Sequence, residues 1–94
     1  MIIRLGILFQ TLFILKGKSF MNDREWKARA KAIIKTELAK QNIDFIKLAE
    51  LLKAIGIEED NINLSNKINR GSFSFVFALQ IFEVIGIQTL RLKD

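Results

Sequence analysis

From Ser72 to Leu90 the chain carries one charge, Glu83, so the segment SFSFVFALQIFEVIG would be apolar around nearly its whole circumference if it coils. A chain of 94 residues is one domain at most and must bury a large share of its apolar side chains to be stable. That segment therefore has to be wrapped by the other elements or by a second subunit, as a central helix or a dimer face. Its pattern is two-valued. Phe73, Phe75 and Phe77 alternate as in a strand, whereas Phe75, Leu79 and Phe82, and Phe77, Ile81 and Val84, recur at helical spacing. A cap at Ser72 or Ser74 and a stop at Gly86 favour the helix.

The remaining segments also read as helices. Asn22 or Asp23 caps one that runs to about Gln41, with Trp26, Ala30, Ile33, Ile34 and Leu38 as its core stripe. Arg24, Lys27, Lys31 and Lys35 follow one another at steps of three and four along one edge. Asp44 caps a second helix, FIKLAELLKAIG, whose Phe45, Leu48, Ala49, Leu52 and Ile55 share a face before Gly56. Glu58, Glu59 and Asp60 form a turn. They lack the alternation and central glycine of a calcium loop and instead suit the positive end of the helix that follows. In that third helix, Asn61 to Arg70, Leu64 and Ile68, with Ile62 near the start, should face inward. Asn63, Asn66, Lys67 and Arg70, at i, i+3, i+4 and i+7, should share one outward stripe, and Gly71 closes the helix. The tail IQTLRLKD alternates apolar and polar residues and offers a short C-terminal β-strand that could pair with the same tail of another chain. The expected fold is thus a small all-α bundle of four to five helices.

Residues 1–20, MIIRLGILFQTLFILKGKSF, are expected to form an extension to the 21–94 domain. The apolar-rich run from Leu5 to Leu15 falls short of the roughly 20 residues that cross a bilayer, and KGKSF follows it where a signal peptide would place small residues. Membrane association is not expected. Two alternatives stay open, a packed extra segment and a non-native upstream extension. Met21, directly before the capped helix, suggests that the first twenty residues are dispensable.

Cysteine and histidine are both absent, which removes disulfides, the usual zinc ligands, the thiol nucleophile and the imidazole base. There is also no glycine-rich phosphate loop. No catalytic residue, metal, cofactor or small-molecule substrate is expected, and the chemistry falls to surface recognition. The net charge of +5 would favour polyanions, but from Met21 onward it is only +2, 12 basic against 10 acidic residues. Distribution matters more than total charge.

The order KLAELLKAIGI then NLSNKINRG resembles the helix-turn-helix of repressors related to phage Cro and cI, where an LA helix precedes a recognition helix ending near Arg-Gly. The stretches EWKARAKAIIKTEL, FIKLAELLKAIGI and NLSNKINRGSFSFVFALQIFEVIGI are similar to the bacterial domain-of-unknown-function family 6471, across nearly everything after Met21. The first resemblance implies DNA recognition by occupancy, as a homodimer in the cytoplasm whose recognition helices sit about 34 Å apart. On that reading Asn63, Asn66 and Arg70 contact bases, while Ser65, Lys67 and the edge formed by Lys27, Lys31 and Lys35 hold phosphates of double-stranded DNA. The chain departs from the repressors in two respects. Leu48-Ala49 to Ile55-Gly56 spans a longer interval, and the three acids would lie near phosphates if the N-terminal end of the third helix entered the groove first. The alternatives are a solvated polar face with a protein-interaction module built on the fourth helix and tail, and, less well supplied with free aromatics, RNA binding.

Overall fold

The computed structural model describes residues 21–92. Within them lie four helices: α1 (Asp23–Lys40), α2 (Phe45–Ala54), α3 (Asn61–Arg70) and α4 (Phe75–Val84). The described residues form no strand, and the expectations placed on residues 1–20 lie outside them.

Each helix starts on a side-chain cap. Asn22, Asp44, Asp60 and Ser74 each have extended backbone and accept the N–H three residues on, from Glu25 (2.9 Å), Lys47 (2.8 Å), Asn63 (2.7 Å) and Phe77 (3.0 Å). Each satisfies an N–H with no partner inside its helix, and losing one costs about 1 kcal/mol.

Three of the four helices stop by one device. A left-handed residue, Asn42 (φ 56°), Gly56 (φ 87°) or Gly86 (φ 74°), turns the chain, and the isoleucine after it donates its N–H back into the last turn. The pairs are Ile43 to the Leu38 carbonyl, Ile57 to Leu52 and Ile87 to Phe82, all at 2.9 Å. The preceding residue closes a second, shorter loop, so two carbonyls are satisfied at each end, as in the Schellman arrangement. Ile43, Ile57 and Ile87 then pack against the core.

That core draws on all four helices: Ile34 and Leu38 of α1, Leu48 and Leu52 of α2, Leu64 and Ile68 of α3, and Phe77, Ala78 and Ile81 of α4, with Ile85 just beyond. Six of these side chains are fully enclosed, and each contributes roughly 1.5–3 kcal/mol relative to exposure. The middle of the packing order is shared by α2, which packs against α3 and α4, and α3, which packs against α2 and α1. The apolar α4 is therefore not central. One side of it is buried, whereas Phe75, Val76 and Leu79 lie open, Phe75 at 71 % exposure.

Other expectations also need correction. Trp26, assigned to the α1 core stripe, is 53 % exposed, because α1 turns its Ile34 and Leu38 flank to the core and leaves the Trp26–Ala30–Ile33 line at the rim. Ile62 is 66 % exposed, since two residues before Leu64 is more than half a turn away from the buried side. Ile55 is exposed as well, lying past the last turn of α2. Residues 87–92 form no strand, as an extended tail alone has no neighbouring ladder to join. The connection between α2 and α3 runs six residues, Ile55 to Asp60, against three or four in a helix-turn-helix.

Gly71 caps α3 at φ 70° and lies against the backbone of α1: a Cβ there would lie 2.7 Å from the carbonyl carbon and 3.0 Å from the Cα of Lys27. Gly56 has the same left-handed requirement but open space around it. Denaturant unfolding should accordingly show Gly56→Ala destabilising the fold by about 1 kcal/mol and Gly71→Ala by about 3 kcal/mol, the excess being backbone overlap.

Candidate nucleic-acid interface

Leu64 and Ile68 fix the rotation of α3, and the opposite side of the helix carries Asn63, Asn66, Asn69 and Arg70, all exposed. Asn63 is partly engaged at the cap, its amide donating to the Asp60 carboxylate at 3.4 Å. Ser65 is half-buried and accepts the Asn69 amide at 3.1 Å, so it does not face outward with the stripe. Asn66 and Arg70 make no side-chain hydrogen bond among the described residues.

The Gly71–Lys27 approach sets the C-terminal end of α3 beside the first half of α1. Between them opens a cleft of about 760 Å³, lined by one acid, Asp23, and by Arg24, Lys27 and Lys31 from α1, and by Asn69 and Arg70 from α3. Lys27 reaches Asp23 at 2.8 Å in an exposed pair, which softens its charge only slightly. Arg24, Lys31 and Arg70 form no ion pair among the described residues. Three unpaired cations and one weakly paired one thus converge from two helices that are distant in sequence. Lys35, the next member of the α1 line, is exposed but does not line the cleft. Neither Arg24 nor Asn69 was among the residues expected at the site; Arg24 precedes Lys27 by three and Asn69 follows Asn66 by three, and that spacing was their signal.

Lys67 belongs elsewhere. Its ammonium is paired with Glu59 and sits 5.1 Å from the centroid of the Phe77 ring, so it joins the acidic turn, α3 and α4. Phe73 and Phe77 meet with centroids 6.0 Å apart and planes tilted by 57°, and the two rings with Lys67, Arg70, Ser72 and Ser74 line a smaller cavity of about 240 Å³. Arg70 borders both spaces. The sequence stripe of four is therefore split: Asn63, Asn66 and Arg70 point outward, and Lys67 is turned into the protein's own framework.

Along α3 the charges are segregated. Asp60, the cap, stands with Glu58 and Glu59 at the N-terminal end, and Lys67 and Arg70 occupy the last turn, each sign where the helix dipole favours it. The front of α3 is thus acidic and its back basic, where the α1 cations add to the field. Among the described residues no group of acidic side chains is placed to hold a metal ion, and no helix is long and apolar enough to cross a membrane.

Residues 26–90 match the model of the family described as Domain of unknown function (DUF6471), and the chain belongs to that family. The matched span holds α2, α3 and α4 entire and α1 from Trp26 onward, so Lys27, Lys31, Asn69 and Arg70 fall within it and Arg24 does not. No curated protein and no solved structure matches the chain.

Because Glu59 is largely buried, its side chain being 13 % exposed, removing its partner should cost more than a surface pair would. Lys67→Ala is expected to destabilise the fold by about 1–2 kcal/mol, and the double variant Glu59→Gln/Lys67→Met to recover most of that, as read by thermal unfolding.

Proposed function

For this DUF6471 member we propose binding of double-stranded DNA, by occupancy of a site and without a catalysed step, through the cleft between α1 and the C-terminal half of α3. The observation that carries the reading is the convergence of Arg24, Lys27, Lys31 and Arg70 on one open cleft beside a row of exposed asparagines. Cations held by a rigid helix pair neutralise phosphates, whereas Asn can donate to and accept from an adenine edge and Arg70 can bond guanine. Asn66 and Arg70 are the proposed base readers, and Arg24, Lys27 and Lys31 the phosphate contacts, with Lys35 extending their line; Asn63, bonded to Asp60 at the acidic end of α3, lies outside this contact set.

The geometry favours a docking mode unlike that of the repressors. A recognition helix enters the major groove by its N-terminal residues. Here that end is acidic and capped by Asp60, and the turn before it is too long for the usual pair, so α3 approaches DNA by its last two turns. Lys67 is withdrawn from the contact set by Glu59. We place the protein in the cytoplasm as a regulator, its two-fold dimer presenting α3 to successive major-groove turns about 34 Å apart.

A second reading has its own observation. Phe75, Val76 and Leu79 form an exposed apolar strip on α4, as an interaction module without nucleic acid would require. Mass measurement with and without duplex separates the two, since only the first reading yields a larger species that depends on DNA.

In anisotropy titrations with a mixed-sequence duplex, affinity should fall steeply with salt. Lys27→Ala and Lys31→Ala should each flatten the log–log slope by about 0.9, while Lys67→Ala leaves it nearly unchanged. Selection from random duplexes should show Asn66→Ala relaxing the preference at one base position, a loss of about 1–3 kcal/mol of discrimination. No binding at low salt, or equal slopes for Lys67→Ala and Lys31→Ala, would remove the cleft from consideration.

A further inference from the structure

On the side of α1 away from the cationic cleft, Trp26, Ala30 and Ile33 stand at steps of four and three and, with Arg29 and Leu92, line an apolar groove of about 720 Å³. This is the line that sequence spacing assigns to a core, and yet nothing among the described residues covers the indole. The one charged group in the groove is already occupied: the Arg29 guanidinium donates to the Leu92 carbonyl at 2.6 Å and lies 5.9 Å from the centroid of the Trp26 ring. An apolar occupant would therefore cover the groove without orphaning that donor, whereas an acidic one would have to compete with a bond already made.

We propose that the occupant is the apolar run Leu5 to Leu15 of the same chain, folded back along the first half of α1. The run carries no charge and only two polar residues, Gln10 and Thr11, so it matches the groove chemically. Its attachment is also suited to the task. Seven residues, Lys16 to Asn22, separate it from the start of α1 and can span about 23 Å, while Trp26 to Ile33 covers about 10 Å of helix. Three cations, Arg4, Lys16 and Lys18, flank the run and would stay in water as it docks. An intramolecular occupant meets the groove at the high effective concentration of a short tether, which a separate partner of equal affinity cannot match. Of the two roles that sequence leaves open for residues 1–20, this selects the packed segment over the dispensable extension. The inference stands apart from the DNA reading, because it uses the opposite side of α1.

Trp26 is the only tryptophan, so indole fluorescence reports this groove alone. The full chain is compared with its Leu8→Glu/Leu12→Glu variant, with far-ultraviolet circular dichroism confirming that both are helical. The native chain should emit further to the blue and resist iodide quenching. The variant should shift to the red and lose that protection, and both properties of the native chain should be independent of protein concentration. Should the variant fail to fold, the native chain decides by itself through its quenching and its dilution series. Equal quenching in the native chain and the variant, or native quenching at the level of a half-exposed indole, would overturn the proposal. So would protection that fades on dilution, which assigns the groove to a second copy, or protection that appears only with phosphatidylcholine vesicles, which assigns the run to a lipid surface.

Discussion

The contact on which the rest depends is the one between Gly71 and the backbone of Lys27. Two main chains meet there with no side chain between them, which only glycine permits at φ 70° and at that separation. The contact ends α3, brings its last turn against α1, and sends the chain on to the cap of α4 at Ser74, three residues later. The cationic cleft follows from it: Arg70 is the residue before the glycine, and Lys27 is the residue against it. A site built this way holds its charges by backbone packing and not by the side chains themselves, so exposed cations can stay free for an external anion without loosening the fold.

Capping and ion pairing then divide the remaining charges by purpose. Asp60 serves the N–H of Asn63, Glu59 holds Lys67, and Glu37, buried on α1, is bonded to Lys40 at 3.2 Å. These acids are consumed inside the structure. The groups of Arg24, Lys31 and Arg70 have no such counter-ions among the described residues, so a chain with a net charge of only +2 after Met21 concentrates positive potential in one place. The weak overall charge therefore says little about what a polyanion would meet at the cleft.

Sequence periodicity located all four helices, a capping position for three of them and three glycine stops, because those features depend on residues adjacent in the chain; Asp60, read only as part of an acidic turn, proved to be the fourth cap. It failed where an answer depends on which neighbour a face meets. Trp26 and Ile62 lie in apolar patterns yet face outward, since α1 and α3 each expend their narrow core contact on two other residues, Ile34 with Leu38 and Leu64 with Ile68. Lys67 shares its helical stripe with Asn63 and Arg70, and only the tertiary placement of Glu59 and Phe77 shows that it is taken. The cleft was half legible. The line Arg24, Lys27, Lys31 was visible along α1 and Arg70 along α3, but their meeting rests on a close approach across more than forty residues of sequence.

The same economy explains why apolar surface is left over. Helices α2, α3 and α4 have ten residues each, under three turns, and are halted by caps and left-handed stops before they can present a long face. Each buries two or three residues deeply, and half the chain is hydrophobic, so the supply of apolar side chains exceeds what this core can enclose. Some of the surplus stands singly, as Ile46, Ile55 and Ile62, and the rest gathers as the strip of Phe75, Val76 and Leu79 on α4 and as the Trp26 groove on α1, on helices that do not occupy the middle of the packing order. Lengthening α4 would not cure the first, because Gly86 and Ile87 fix its end by hydrogen bonds to Glu83 and Phe82. A fold closed so firmly at its helix ends can hide further apolar area only by acquiring another segment, from its own chain or from a second molecule.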